Sequence, residues 1–253
     1  MLQEIFALNV FGFFLIFARM GTVFMLLPGF SALYVSTRIR MLLALTVSFA
    51  VSPMLMPGLP GLPATIPELA LLLGGEISIG LFMGVLGRIL IGALQTTGTV
   101  IAYVSSMANA FIQDPVAEQQ STVMAGFLGT LGVMMIFVTD AHHLMLRAVF
   151  DSYSLFVPGR PPPLDNFTEV IASHVSASFN IGVQMAAPFV ISGLTYYIGI
   201  GLLTRLMPQM PVFFVGLPIQ IAIQVTLVML ALSGIMMVFM THFGEGYRPF
   251  LVP

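Results

Sequence analysis

Apolar runs alternate along this chain with short segments rich in proline, glycine or amides, and the breaks define the elements. The first run covers residues 5–27 and is long enough to span about 30 Å of hydrocarbon. Pro28-Gly29 closes it by removing a backbone donor and relaxing the next turn. A second run, 41–56, follows Arg38 and Arg40 and ends in PGLPGLPATIP at 57–67. Three prolines and two glycines within seven residues predict a stiff extended connector there. Residues 68–104 stay apolar for longer than one crossing needs, and Gly80, Gly84 and Gly87 fall on one face, so a second helix backbone is expected to approach closely. The stretch 105–120, SSMANAFIQDPVAEQQ, breaks the pattern, and 121–139 resumes it with Gly126, Gly129 and Gly132 on a close-packed face. VPGRPPPLDN at 157–166 favours polyproline II at a surface. Residues 167–204 read as a helix notched at Pro188 with Asn180 and Gln184 at i, i+4; RLMPQMP at 205–211 reads as a tight turn. Residues 212–240 close the series as an uncharged run carrying Gln220 and Gln224. The pattern predicts an all-α, membrane-class fold of about six to eight long hydrophobic helices.

Composition narrows the class. The chain of 253 residues is 58% hydrophobic and 7% charged, with a mean hydropathy of +1.04, against about a quarter charged in soluble domains. All eight basic residues are arginines: Arg19, Arg38, Arg40, Arg88, Arg147, Arg160, Arg205 and Arg248. They form no cluster, and the net charge is −2, which argues against nucleic-acid binding. Their scatter also leaves the positive-inside count undecided, as expected of helices that mainly contact sister proteins. Cysteine is absent, which excludes disulfides, thiolate metal sites and cysteine nucleophiles. Glu4 in place of a basic leader, and Arg19 within the first run, mark that run as a retained helix and not a signal peptide. The 19 methionines and 22 phenylalanines supply adaptable packing, or plain lipid-facing surface.

Few residues carry candidate chemistry. Arg19 in an apolar helix calls for a protein partner, a wet cavity or a route to the headgroups. Glu76 and Arg88 lie twelve residues apart and each needs a partner elsewhere; the carboxylate reads as a proton relay or as a contact inside an assembly. Asp140, His143 and Arg147 fall at i, i+3 and i+7 and predict a charge-stitched helix end. On a regular helix His142 points about 100° away, so the two histidines are not expected to share a metal, and no cofactor or metal site is expected. Tyr103, Met107 and Phe111 recur at i, i+4, i+8 and predict one stripe leading into the break. Asp114 reads as the N-cap and Pro115 as the first residue of the next helix, with Glu118 near its positive end. By residue pattern alone the break reads first as an ordinary loop, with a working part as the alternative.

Taken together in order, Arg19 with Pro28; Glu76, Gly80 and Gly84; Phe111, Asp114-Pro115 and Ser121; Asp140 with His142-His143; Ala186-Ala187-Pro188; and Arg205, Pro208-Gln209, Val212-Phe213, Gly216 and Pro218 resemble the FliR/SctT family of type III export gate proteins over nearly the whole chain. Two positions depart from it: Ala141, where members often have glycine, and Pro211, where a polar residue is common. The second departure removes any side-chain hydrogen bond at that position and leaves the turn.

The resemblance implies helical hairpins packed in a hetero-oligomeric gate with FliP-like and FliQ-like subunits, and FlhB-like and FlhA-like subunits nearby, in the bacterial inner membrane at the flagellar basal body. It implies that residues 1–180 are FliP-like, that 181–253 form a FliQ-like helical hairpin, and that the substrates are unfolded flagellar proteins. It casts 106–120 as a plug loop, with Tyr103, Met107, Phe111, Ile112, Asp114 and Pro115 as gate residues. Arg19, Glu76, Arg88, Asp140, His143, Arg147 and Arg205 are then charge contacts within the assembly. A hydrophobic constriction of this kind closes by dewetting. No enzymatic activity is expected, because Asp140 and His143 lack a matched nucleophile and no phosphate-binding glycine loop is present. The competing readings are the virulence-injectisome counterpart of the same gate and a stand-alone proton-coupled transporter using Glu76, Asp140 and Arg19.

Overall fold

A computed structural model describes residues 2–32, 34–108, 111–113, 120–207 and 212–252. They form seven α-helices: α1 (Leu2–Leu26), α2 (Thr37–Leu55), α3 (Ile66–Val104), α4 (Val123–Val138), α5 (Ala141–Leu155), α6 (Leu164–Leu206) and α7 (Val212–Tyr247). Two three-residue strands, β1 (Phe111–Gln113) and β2 (Gln120–Thr122), pair antiparallel with Phe111 opposite Thr122. Among the described residues, four helices are long and apolar enough to cross a membrane, or five if the broken pair α4 and α5 counts as one span. The expectation was six to eight long hydrophobic helices; α4 and α5, at 16 and 15 residues, are each too short to cross alone. The membrane-class helical architecture itself stands.

The chain packs as two compact units built from interleaved segments: residues 1–90, 139–175 and 244–253 in one, and 91–138 and 176–243 in the other. In the first unit, helix starts are set by local chemistry. The Ser36 hydroxyl accepts from the Ile39 N–H at the head of α2. Thr65 caps α3 by accepting from Glu68 N–H, while the Glu68 carboxylate accepts from Ala64 N–H at 3.0 Å, a reciprocal pair that satisfies two end donors. The expected glycine contact is present: a Cβ placed at Gly80 would lie 2.7 Å from the Arg19 carbonyl oxygen, and one at Gly84 would lie 2.5 Å from Leu26 Cβ. Only hydrogen fits there, so α1 and α3 meet backbone to backbone. Around that seam Phe82 stacks on Phe167 and meets Phe156 and Phe250 edge-on, tying α3 to the ends of α5, α6 and α7.

The second unit uses the same device elsewhere. A Cβ at Gly98 of α3 would lie 2.6 Å from the Ala125 backbone nitrogen, and one at Gly182 of α6 would lie 2.8 Å from the Ala93 carbonyl oxygen. Gly132, on the face expected for α4, lies against Leu94 and Phe239. Pro188 lies inside α6 without ending it. The Phe189 carbonyl just beyond it accepts from the Gln224 amide of α7 at 3.3 Å.

Candidate functional site

A fully buried guanidinium forms the centre of the first unit. Arg19 is 0% exposed, and its Nε donates to Glu76 Oε2 of α3 at 2.6 Å. Its Nη1 donates to the Ser152 hydroxyl at 3.1 Å, and its Nη2 to the Phe156 carbonyl at 3.0 Å. The ring of Tyr153 lies beneath it, with Cζ 3.9 Å from the ring centroid. Phe156 follows α5 directly, so the cation meets the negative end of that helix and satisfies an end carbonyl. Three helices thus converge on one side chain. Glu76 also lines a cavity of about 630 Å³ walled by the connectors at 60–64 and 159–162. Both proline-rich breaks therefore frame a single hollow beside the ion pair. Arg88 is placed apart from this centre, its Nε donating to the Leu26 carbonyl at 3.2 Å.

In the second unit, α3 stops at Val104, and Ser106 enters the left-handed region with φ 59°. Met107 N–H then reaches back to the Ala102 carbonyl and Ser106 N–H to the Tyr103 carbonyl, the paired reverse bonds of a Schellman end. Glycine usually occupies this position; here serine does, and its hydroxyl bonds both Tyr197 Oη and Gln220 Oε1 at 3.2 Å. The Gln220 amide donates to the Val104 carbonyl at 2.6 Å, so one α7 side chain holds the end of α3 and the bend after it.

This geometry corrects two expectations. Tyr103, Met107 and Phe111 form no helical stripe, because the helix ends at Val104 and the chain reverses at Ser106; Tyr103 is exposed on the last turn, and Phe111 and Ile112 lie in β1. Nor does a helix run through the end of the break, since Gln120–Thr122 is extended. Helix α4 begins at Val123, capped by the Thr122 hydroxyl accepting from Ala125 N–H. Asp114 and Pro115 lie outside the described residues.

The family of bacterial export proteins, family 1, matches residues 10–246 of this chain. The chain belongs to it. This is the FliR/SctT family, and similarity to individual members is broad. The flagellar biosynthetic protein FliR of Caulobacter vibrioides is 33% identical over 239 residues, covering 94% of this chain and 95% of that protein. FliR of Bacillus subtilis is 30% identical over 64% of each chain. The Yop proteins translocation protein T of Yersinia pestis is 30% identical over 61% of this chain and 60% of its own length.

The remaining expected site residues of this family member are spread out. Asp140 and His143 are exposed, with Asp140 Oδ1 3.8 Å from His143 Nδ1. Arg147 does not continue that line. It lies 3.6 Å from Asp151 and donates to the Val252 carbonyl, while Val252 N–H donates to Asp151. Arg205 is exposed in the last turn of α6. The separation of the two histidines expected from helix geometry is also corrected: their ring centroids lie 4.1 Å apart. Sequence reasoning missed Ser152 and Tyr153, which are ordinary residues by type, and placed Ser106 only as the start of the segment 106–120. The i, i+4 pair Gln220 and Gln224 in an uncharged run was the available signal for the α7 contacts, since buried amides in such a run need partners.

Proposed function

We propose that this chain is a subunit of the flagellar type III protein export gate, seated in the bacterial inner membrane at the basal body. Together with FliP-like and FliQ-like subunits, and with FlhB-like and FlhA-like subunits nearby, it forms the channel that unfolded flagellar proteins enter. Residues 1–180 supply a FliP-like part and 181–253 a FliQ-like hairpin, and the segment 106–120 closes the resting pore. The gate residues are Tyr103, just before this segment, and Met107, Phe111, Ile112, Asp114 and Pro115 within it. The protein acts by shape and electrostatics, not catalysis.

The observation that carries this reading is the match to FliR of Caulobacter vibrioides across almost the full length of both proteins. The shorter match to the Yersinia translocation protein leaves the injectisome counterpart as the weaker reading. Two structural features support a role inside an assembly. The most apolar windows of α2, α6 and α7 are only 17%, 17% and 22% buried within the chain, leaving broad faces for partners or lipid. A stand-alone proton carrier is also disfavoured, because Glu76 is committed to Arg19 at 2.6 Å. Deleting 106–120 and measuring ion conductance of membranes carrying the assembled gate tests the plug; the expected result is a resting leak, and unchanged conductance removes the pore-closing role. Co-purification tests the assembly: one copy of this chain should accompany FliP-like and FliQ-like subunits, and a stable homo-oligomer would overturn the assignment.

A further inference from the structure

The turn that opens α5 places three metal-binding side chains on one spot. Asp140, His142 and His143 each offer a ligand atom, and these atoms all lie within 4.8 Å of one another. Both histidines lie in the first turn of α5, and Asp140, which precedes that helix, adopts the left-handed conformation, φ 58° and ψ 14°. Asp140 also forgoes the usual role of an aspartate before a helix, since its side chain makes no capping bond. Its carboxylate stands beside His143 instead, and the two imidazoles lie with centroids 4.1 Å apart and planes inclined by 36°.

The geometry points to a surface site for a borderline divalent transition-metal ion, of the Zn²⁺, Co²⁺ or Ni²⁺ type, held by Asp140, His142 and His143. Donors about 2.0–2.2 Å from such an ion stand about 3.3 Å apart in a tetrahedral shell. Closing the site from 4.8 Å calls for rotation of the Asp140 and His143 side chains, 77% and 70% exposed, toward the half-buried His142. Two imidazoles with one carboxylate suit Zn²⁺, Co²⁺ or Ni²⁺ better than Mg²⁺ or Ca²⁺, which prefer all-oxygen shells. Three protein ligands leave a coordination position for water or for a side chain of another subunit.

Titration of the full-length protein in detergent, carrying no histidine tag, with Co²⁺ tests the site by equilibrium dialysis and visible absorption. One Co²⁺ per chain is expected, with ligand-field bands that Zn²⁺ abolishes. The double variant His142→Ala/His143→Ala should bind at least about tenfold more weakly, and Asp140→Ala should weaken binding with less risk to folding. His174→Gln, remote in sequence from the turn, should bind as the parent does. Binding well below one equivalent overturns the site, as does an affinity unchanged in the double variant and in Asp140→Ala, or an equal loss in His174→Gln.

Discussion

The Arg19 centre and the Ser106 bend hold their respective units in opposite ways. At Arg19 a full charge is removed from solvent and matched by a carboxylate, a hydroxyl, a helix-end carbonyl and an aromatic face. At Ser106 every partner is neutral: a serine, a tyrosine hydroxyl, an amide and a backbone carbonyl. A buried charge penalises any partial opening severely, because each lost partner leaves desolvated charge behind. Neutral bonds of about 1 kcal/mol each can be exchanged one at a time. The first arrangement suits a frame, the second a segment that changes shape.

That contrast breaks most visibly at Glu76. Replacing it with leucine strands the Arg19 charge, and thermal unfolding in detergent should show a loss of about 3–5 kcal/mol. The double variant Arg19→Met/Glu76→Leu should recover most of it. A single variant as stable as the parent would mean that the pair does not lock the first unit. Gly98→Val comes next, since its new Cβ would meet Ala125 backbone and not a movable side chain. A loss of about 1–3 kcal/mol is expected from overpacking, read from the same melts; a tolerated valine would argue that α3 and α4 are not in tight contact at Gly98.

Smaller effects sharpen the neutral side of the comparison. Gln220→Leu removes the bonds to Ser106 and Val104 and should cost about 1 kcal/mol. Hydrogen exchange should rise at Ser106 and Met107 while the amides around Arg19 stay protected. Equal deprotection of both regions would erase the distinction between them. Ser106→Gly should change stability least, within about 0.5 kcal/mol, because relief of the left-handed strain offsets the lost hydroxyl bonds. Ser106→Val introduces a β-branched side chain where φ is positive and should be clearly worse; equal melting temperatures for the two variants would count against the strained turn.

Much of the architecture was legible in the residue pattern. The breaks at 57–67 and 157–166, the helix nature of the long apolar runs and the close approach at Gly80 and Gly84 follow from local rules: proline and glycine end helices, and only hydrogen lets two backbones touch. The need for partners at Arg19, Glu76 and Arg88 was legible too, because an isolated charge in an apolar run is untenable. Their partners were not. Glu76 lies 57 residues from Arg19 in the chain, and Ser152 lies 133 from it; no periodicity encodes such pairings.

The reading failed where local rules were overridden. The stripe Tyr103, Met107 and Phe111 assumed a helix continuing past Val104, and the line of Asp140, His143 and Arg147 assumed a regular helix from Asp140. In both places a non-glycine residue sits at positive φ, Ser106 and Asp140. Surroundings support the first of these: Gln220 and Tyr197 come from α7 and α6, far along the chain. By itself, then, the sequence determined the helices, their breaks, the small-residue seam and the membrane class, since these depend on neighbours within a few turns. Tertiary structure alone decided which carboxylate answers Arg19, where α3 ends and which side chains share the turn that opens α5. Those outcomes depend on which distant groups satisfy buried charges, amides and carbonyls once water is gone.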